Sequence, residues 1–203
     1  GVSWQPVDSF NKHPDRESWN PGGAGLTLHT IVPDRTDPQK LWLAISAAGV
    51  FASSDGGENW ESRNRLANAE TCEGHDHPAG PSGGATGLCV HNMVKAPGED
   101  SEILYQQNHH GVYRSPDGGR SWQDITAGLP STFGFPVAAH PRDPDTIWTL
   151  PLNTDFQRFP IDAAAAVWRS RDGGATWEDL RDGLPQTGCY FTVLRQAMTT
   201  DSR

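Results

Sequence analysis

The chain has 203 residues, 35% of them hydrophobic, with 22 Gly, 16 Pro and 8 Trp, a composition that suits short strands and many turns and speaks against long helices. Its 16 Lys and Arg against 25 Asp and Glu give a net charge of -9, which argues against non-specific partnership with nucleic acid or an anionic membrane. No run approaches the roughly 20 apolar residues of a membrane-spanning helix, and an odd count of three cysteines argues against a disulfide scaffold, leans towards a reducing, cytoplasmic setting and leaves room for one Cys72–Cys89 bridge.

The chain opens on Gly1-Val2-Ser3-Trp4, the tail of a motif that recurs in full three times as S-x-D-x-G-x-x-W. Its members are Ser53, Asp55, Gly57 and Trp60; Ser115, Asp117, Gly119 and Trp122; and Ser170, Asp172, Gly174 and Trp177. Spacings of about 55 to 62 residues between the tryptophans mark an array of one supersecondary unit. Four short strands, A to D, are expected in each unit. Strand A falls at Leu26 to Val32, Leu88 to Val94 and Phe135 to Ala139, and strand B at Leu41 to Ile45, Ile103 to Tyr105 and Thr146 to Leu150. Strand C precedes each motif, at Gly49 to Ala52, Gly111 to Arg114 and Ala166 to Arg169, and strand D starts at each motif tryptophan. Asp37-Pro38 and Asp143-Pro144 mark A–B turns, and β-branched and aromatic residues around an Asp-Gly-Gly or like turn signal the C–D hairpin. In that turn Asp accepts loop N–H bonds, Gly supplies positive φ and Trp buries its ring against the next layer.

Four strands per unit predict an all-β fold, a β-propeller of four-stranded antiparallel blades. The expected organisation is a single partial propeller: residues 1–8 the end strand of a truncated blade, 25–66 blade 1, 87–127 blade 2, 134–182 blade 3, and 188–203 the first strand of a further blade, with Tyr190 to Leu194 as that strand. Three complete blades plus parts of two others do not close a ring of about 4 to 8 blades, so a fragment of a longer propeller is expected.

The motifs resemble the Asp-box, or BNR repeat, and the chain is similar over essentially its whole length to the BNR-repeat β-propeller superfamily. That resemblance implies the propeller fold and relatives as different as sialidases, xyloglucan-degrading glycoside hydrolases, sortilin-type receptors and photosystem II assembly factors. The flanking pattern, including Gly128-Leu129-Pro130 and Gly183-Leu184-Pro185, looks most like bacterial proteins of the WD40/YVTN/BNR-like group called glycosyl hydrolases or exo-sialidases. A sialidase would need an Arg-Ile-Pro motif and a Tyr–Glu pair. Arg-Ile-Pro is absent, and Tyr105, Tyr113 and Tyr190 have no evident Glu companion.

In an antiparallel meander the A–B and C–D turns share one face, and the B–C and D–A connections share the other. Asp55, Asp117 and Asp172 are then repeated packing devices on the turn face, not catalytic groups. The irregular loops gather opposite, where ligand sites are expected. There, aligned strands A place His29 and His91 at one height, with Asn108, His109 and His110 nearby and Ala138 or a neighbour in the equivalent frame of blade 3. The expected ligand-binding set is His29, His91, Asn108, His109 and Arg195; Arg158 and Arg195 could hold a carboxylate or phosphate, the alternative being that they are solvated surface. A transition metal is a second use of His29 and His91, or of Cys72, His75, His77 and Cys89, whose residue types suit zinc although their spacing matches no familiar finger. The alternative is that the histidines merely line a wet channel through hydrogen bonds. Asp15, Glu17, Glu70, Glu73, Asp76, Asp155 and Asp162 are the loop-face carboxylates that a glycoside hydrolase would have to pair. Trp19, Phe133, Phe135, Phe156, Phe159 and Tyr190 could instead form an aromatic patch for a protein or peptide. The two functions left open are a propeller binding a small molecule, glycan or metal on its loop face, and a non-enzymatic scaffold for a protein partner.

Overall fold

A computed structural model describes residues 3–19, 21, 25–68, 86–99 and 101–201. Among these residues, twelve strands form three four-stranded sheets, each an antiparallel meander in chain order. Blade 1 comprises β1 (Thr27–Pro33), β2 (Leu41–Ser46), β3 (Gly49–Ser53) and β4 (Glu61–Ser62). Blade 2 comprises β5 (Val90–Lys95), β6 (Leu104–Asn108), β7 (Gly111–Ser115) and β8 (Gln123–Asp124). Blade 3 comprises β9 (Gly134–Ala139), β10 (Ile147–Pro151), β11 (Val167–Ser170) and β12 (Glu178–Leu180). The protein is an all-β propeller array of four-stranded blades.

Alternation along the strands sends one set of side chains to each neighbouring blade. Trp42, Ala44, Val50 and Leu66 of blade 1 meet Val90, Met93, Leu104, Tyr113 and Trp122 of blade 2 in the largest core cluster. Tyr105 and Ile125 of blade 2 meet Val137, Ile147 and Trp177 of blade 3 in a second. Polar bonds reinforce this second junction: Gln107 Nε2 donates to the Thr132 carbonyl at 3.2 Å, and Thr149 Oγ1 donates to Gln107 Oε1 at 3.0 Å.

The three Asp boxes share one hydrogen-bond plan. The serine hydroxyl donates to the Asp carboxylate at 2.8 Å in each, and accepts from the N–H of the motif glycine at 2.7 to 2.8 Å. The carboxylate's other partner is the residue before Trp: Asn59, Ser121 and Thr176 each donate both backbone N–H and side chain to it. The tryptophan lies just before the short strand D and donates its indole N–H backwards, from Trp122 to the Arg63 carbonyl at 2.7 Å and from Trp177 to the Ile125 carbonyl at 2.9 Å. Each box also anchors to an A–B turn: the N–H groups of Gly56, Gly118 and Gly173 bond the carbonyls of Gln39, Glu102 and Asp145. The boxes and A–B turns therefore occupy one face.

Among the described residues, neither terminal segment is paired as a strand. Residues 3–7 have no strand partner, and Asp8–Asn11 is a single helical turn, α1. Phe10 instead wedges among Trp19, Phe51 and Trp60, at centroid separations of 5.1 to 5.3 Å, and covers the side of blade 1 turned away from blade 2. Tyr190 to Leu194 likewise finds no strand to pair with. Val193 and Met198 pack beside Phe133, Phe135, Leu150 and Leu152, while Gln196 donates to the His29 carbonyl and Thr200 to that of Ala139. The C-terminal segment thus runs across the three innermost strands.

Candidate functional site

The loop-face ends of those innermost strands carry one repeated irregularity. In β1 the pairing skips from Leu28 to Thr30, and in β5 from Val90 to Asn92, so His29 and His91 are each the extra residue of a β-bulge. In β9, Gly134 pairs with Pro151 and Val137 with Thr149, which leaves Phe135 and Pro136 opposite Leu150. Register therefore puts Phe135, not Ala138, in the histidine frame of blade 3. A bulge re-aims a side chain out of the regular alternation, and the three bulges turn His29, His91 and Phe135 towards a common centre.

Around that centre the side chains are close. His91 is buried and lies 4.7 Å from the Phe135 ring, 5.4 Å from Phe133 and 5.6 Å from His109, centroid to centroid. Its Nδ1 donates to the Gly134 carbonyl at 2.6 Å, so Nε2 of the neutral ring carries the lone pair, which faces Cys89 Sγ at 3.6 Å. Ser46 Oγ stands 3.1 Å from the same sulfur. His109 Nε2 lies 3.7 Å from Asp155 Oδ2. The guanidinium groups of Arg195 and Arg158 sit 5.1 and 5.6 Å from the Phe135 centroid.

Burial dominates the electrostatics. It holds His91 at about 3 and His29 at about 4, with the Arg195 charge adding to the effect on both. His109 is also pulled below its ordinary value by burial, against the opposing pull of Asp155. All three imidazoles are neutral at pH 7, which leaves the arginines as the cations of the cluster. Arg195 Nε and His29 Nε2 are buried atoms without a hydrogen-bond partner among the described residues.

The structure thus brings together His29, His91, His109 and Arg195 of the expected ligand set, with Cys89 and Arg158. Asn108 stands apart in its role. Fully buried at the end of β6, its amide donates to the Gly87 carbonyl and its oxygen accepts the His110 N–H at 3.2 Å, so it braces the B–C turn. Cys72, His75 and His77, with Glu70, Glu73 and Asp76, lie outside the described residues. Of the expected aromatic patch, Trp19, Phe133 and Phe135 are buried in the core, whereas Phe156 and Tyr190 are exposed and Phe159 packs edge-on to Tyr190 at 5.1 Å. Asp155 is the one carboxylate at the cluster among the described residues; Asp15 belongs to a 3-10 turn at Pro14–Ser18 beside blade 1. Phe135 as the third bulge residue escaped the sequence reading, because a bulge shifts the frame and the aligned residue is not a histidine.

On the opposite face, a depression between the first two Asp boxes is lined by Lys40, Trp60, Arg63, Glu102 and Arg120. Its charges are already paired, Arg120 with Glu102 at 2.9 Å, Lys40 with Glu102 at 3.7 Å and Arg63 with Glu61 at 2.7 Å.

Comparison with known proteins agrees with this architecture. A probable oligoxyloglucan-reducing end-specific xyloglucanase from Neosartorya fischeri is 25% identical over 93% of the chain, and the chain spans 24% of that protein. Among solved structures, an ancestral GH74 enzyme superposes with a TM-score of 0.56 at 20% identity, covering 86% of this chain and 20% of its own. The GH74 enzyme of Niastella koreensis gives 0.54 at 18% identity, covering 81% and 24%. The chain therefore spans about a quarter of the length of these relatives, and the likeness to the solved structures is one of fold. The family model described as "Sortilin, neurotensin receptor 3" matches residues 48–202, three quarters of the chain. With its three Asp boxes and three four-stranded blades, the chain belongs to the Sortilin-Vps10 family of Asp-box β-propellers.

Proposed function

We propose that the chain is a ligand-binding portion of an Asp-box propeller, and that its loop-face cluster holds the carboxylate of an acidic glycan. The observation that carries this reading is the pair of guanidinium groups, Arg158 and Arg195, gathered on Phe135 beside imidazoles that remain neutral. A guanidinium is a fixed cation with a planar donor fork, and two of them over one aromatic ring suit a carboxylate carried on an apolar or sugar frame. Phe156 and Tyr190 are exposed and Phe159 packs edge-on to Tyr190, aromatic surfaces of the kind on which sugar rings stack.

Hydrolysis is not part of the proposal. A glycosidase needs two carboxyl groups about 5 to 9.5 Å apart, and the described residues bring only Asp155 to the cluster. Relatedness to a xyloglucanase supports glycan as the ligand class and leaves catalysis to whatever other segments a complete propeller supplies. Membership of a family described by a receptor favours a second reading, in which a peptide carboxylate occupies the same arginines.

The test is a binding screen of the full-length protein against glycans with and without uronic acids, and against peptides with free and amidated C-termini. The first reading expects uronic-acid glycans to be retained and an Arg158→Ala/Arg195→Ala double variant to lose them. Retention of peptides alone would support the second, and retention of neutral glycans by both proteins would refute the carboxylate site.

A further inference from the structure

The same bulge that turns His91 inward also builds a set of donors that carbohydrate recognition does not use. Cys89 Sγ and one ring nitrogen each of His91 and His109 lie within 4.8 Å of one another. We propose that Cys89, His91 and His109 form a three-ligand site for a zinc-class transition metal, open at its fourth position. This goes beyond the ligand-binding reading above and stands on different side chains.

Three features of the geometry argue for it. First, a tetrahedral zinc with bonds of about 2.3 Å to sulfur and about 2.0 to 2.1 Å to imidazole nitrogen separates those two atoms by about 3.6 Å. Cys89 Sγ and His91 Nε2 are 3.6 Å apart. Second, His91 and Cys89 have hydrogen-bonding outer partners of the kind a metal ligand uses, and His109 has a carboxylate nearby. The Gly134 carbonyl fixes the His91 tautomer by accepting from Nδ1, Asp155 faces His109 at 3.7 Å, and Ser46 Oγ is placed at 3.1 Å to donate to a thiolate. Third, the backbone holds the ligands in fixed relation: the His109 N–H bonds the Cys89 carbonyl at 2.9 Å, so the β5 and β6 ends cannot drift apart without breaking it. One thiolate and two imidazoles suit zinc or another borderline-soft ion and discriminate against magnesium and calcium, which prefer oxygen. Three protein ligands and an open position are the arrangement in which a metal can hold water or a ligand oxygen. The sequence-based sets are His29 with His91, and Cys72, His75 and His77 with Cys89; this site takes His91 from the first and Cys89 from the second and adds His109 from the turn after β6.

Cobalt(II) substitution reads this site directly, because thiolate coordination gives a near-ultraviolet charge-transfer band and four-coordination gives intense visible bands. The apo full-length protein titrated with Co2+ alone is expected to develop both, saturating at one equivalent and reversed by Zn2+. Cys89→Ser should abolish the charge-transfer band. His109→Gln, at a half-buried ring, should weaken binding by more than about 100-fold, exceeding the loss typical of an outer-partner change. His140→Ala, on an A–B turn of the other face, should bind as wild type. Far-ultraviolet circular dichroism checks folding, and His109→Gln remains decisive should Cys89→Ser fold poorly. Absence of the bands in the wild type would overturn the proposal, as would bands that survive Cys89→Ser and His109→Gln but vanish in Cys72→Ser. Because no glycan or peptide is present, failure here is distinct from failure of the carboxylate screen.

Discussion

Three copies of one motif tryptophan should not matter equally, and substituting each by phenylalanine tests the packing account. Trp122 is fully buried between blades 1 and 2, and its indole donates to the Arg63 carbonyl at 2.7 Å in a buried setting. Its backbone is tied to the same segment through Trp122 N to the Arg65 carbonyl at 2.8 Å and Ala67 N to the Trp122 carbonyl at 2.7 Å. Phenylalanine preserves most of the ring contact but removes the donor, leaving a buried carbonyl unpaired at about 1 to 3 kcal/mol, with a further loss from the volume removed. A total of about 2 to 4 kcal/mol is expected for Trp122→Phe. Trp177 is half-buried and makes the equivalent bond at 2.9 Å, so water can replace its donor and about 1 kcal/mol is expected. Trp60 donates only to Ser9 Oγ at 3.3 Å, and its loss should be smaller still. Urea unfolding monitored by circular dichroism gives the three values. Equal losses at the three positions, or a larger loss at Trp60 than at Trp122, would refute the assignment of the motif tryptophan as a blade-to-blade bolt.

Glycines of positive φ are equally unequal. Gly174 has φ +96° and an added Cβ would meet Ile125 at 2.4 Å, whereas Gly183 has φ +76° and open space. Gly183→Ala should cost about 1 kcal/mol from the left-handed backbone alone, and Gly174→Ala clearly more, as measured by the same unfolding assay. Hydrogen bonds from Asn59 and Ser53 hold Asp55 at about 2, and those from Thr176 and Ser170 hold Asp172 at about 2, both below the ordinary 3.8. A depressed carboxylate stabilises the fold above its unfolded value, so this contribution should fade as pH falls from about 4 to about 2, and Asp172→Asn should flatten that part of the urea-midpoint profile. For histidines the depressed values mean that the unfolded chain takes up protons first. Stability from His91 and His29 should therefore decline as pH drops from about 6.5 towards 4, and the His91 ring-proton resonance should stay at its neutral position down to about pH 4. A His91 midpoint near 6.5 would show that the ring is not buried as described.

Much of the fold was legible because the Asp box is a local structure. Its serine, carboxylate and glycine satisfy one another within five residues, so the motif reports a C–D turn wherever it occurs. The residue before Trp was missed as a member, since Asn59, Ser121 and Thr176 look unrelated until their shared role as donors to Asp is seen. The terminal segments are a different matter, since Tyr190 to Leu194 has strand-like composition and a strand there would need a neighbour that sequence pattern does not report. At the candidate site, the equal heights of His29 and His91 could be read from an ungapped alignment of two strands. The bulge that makes both point inward could not, and with it went the equivalence of Phe135 and the approach of Arg158 from a loop 20 or so residues further on. Asn108 shows the converse. A polar residue beside two histidines suggests a ligand, yet a buried amide at a strand end most readily satisfies the turn it adjoins.

The most direct test of the central claim, that ligand binding belongs to the loop-face cluster and not to the Asp-box rim, is a nuclear magnetic resonance titration of the full-length protein with glucuronate and with its uncharged amide. The account predicts that glucuronate shifts the ring protons of His91, His109 and Phe135, that the amide does not, and that Arg195→Ala abolishes the effect. Shifts confined to Trp60, Asn59 and Arg120 on the opposite face, or equal responses to the acid and the amide, would contradict it.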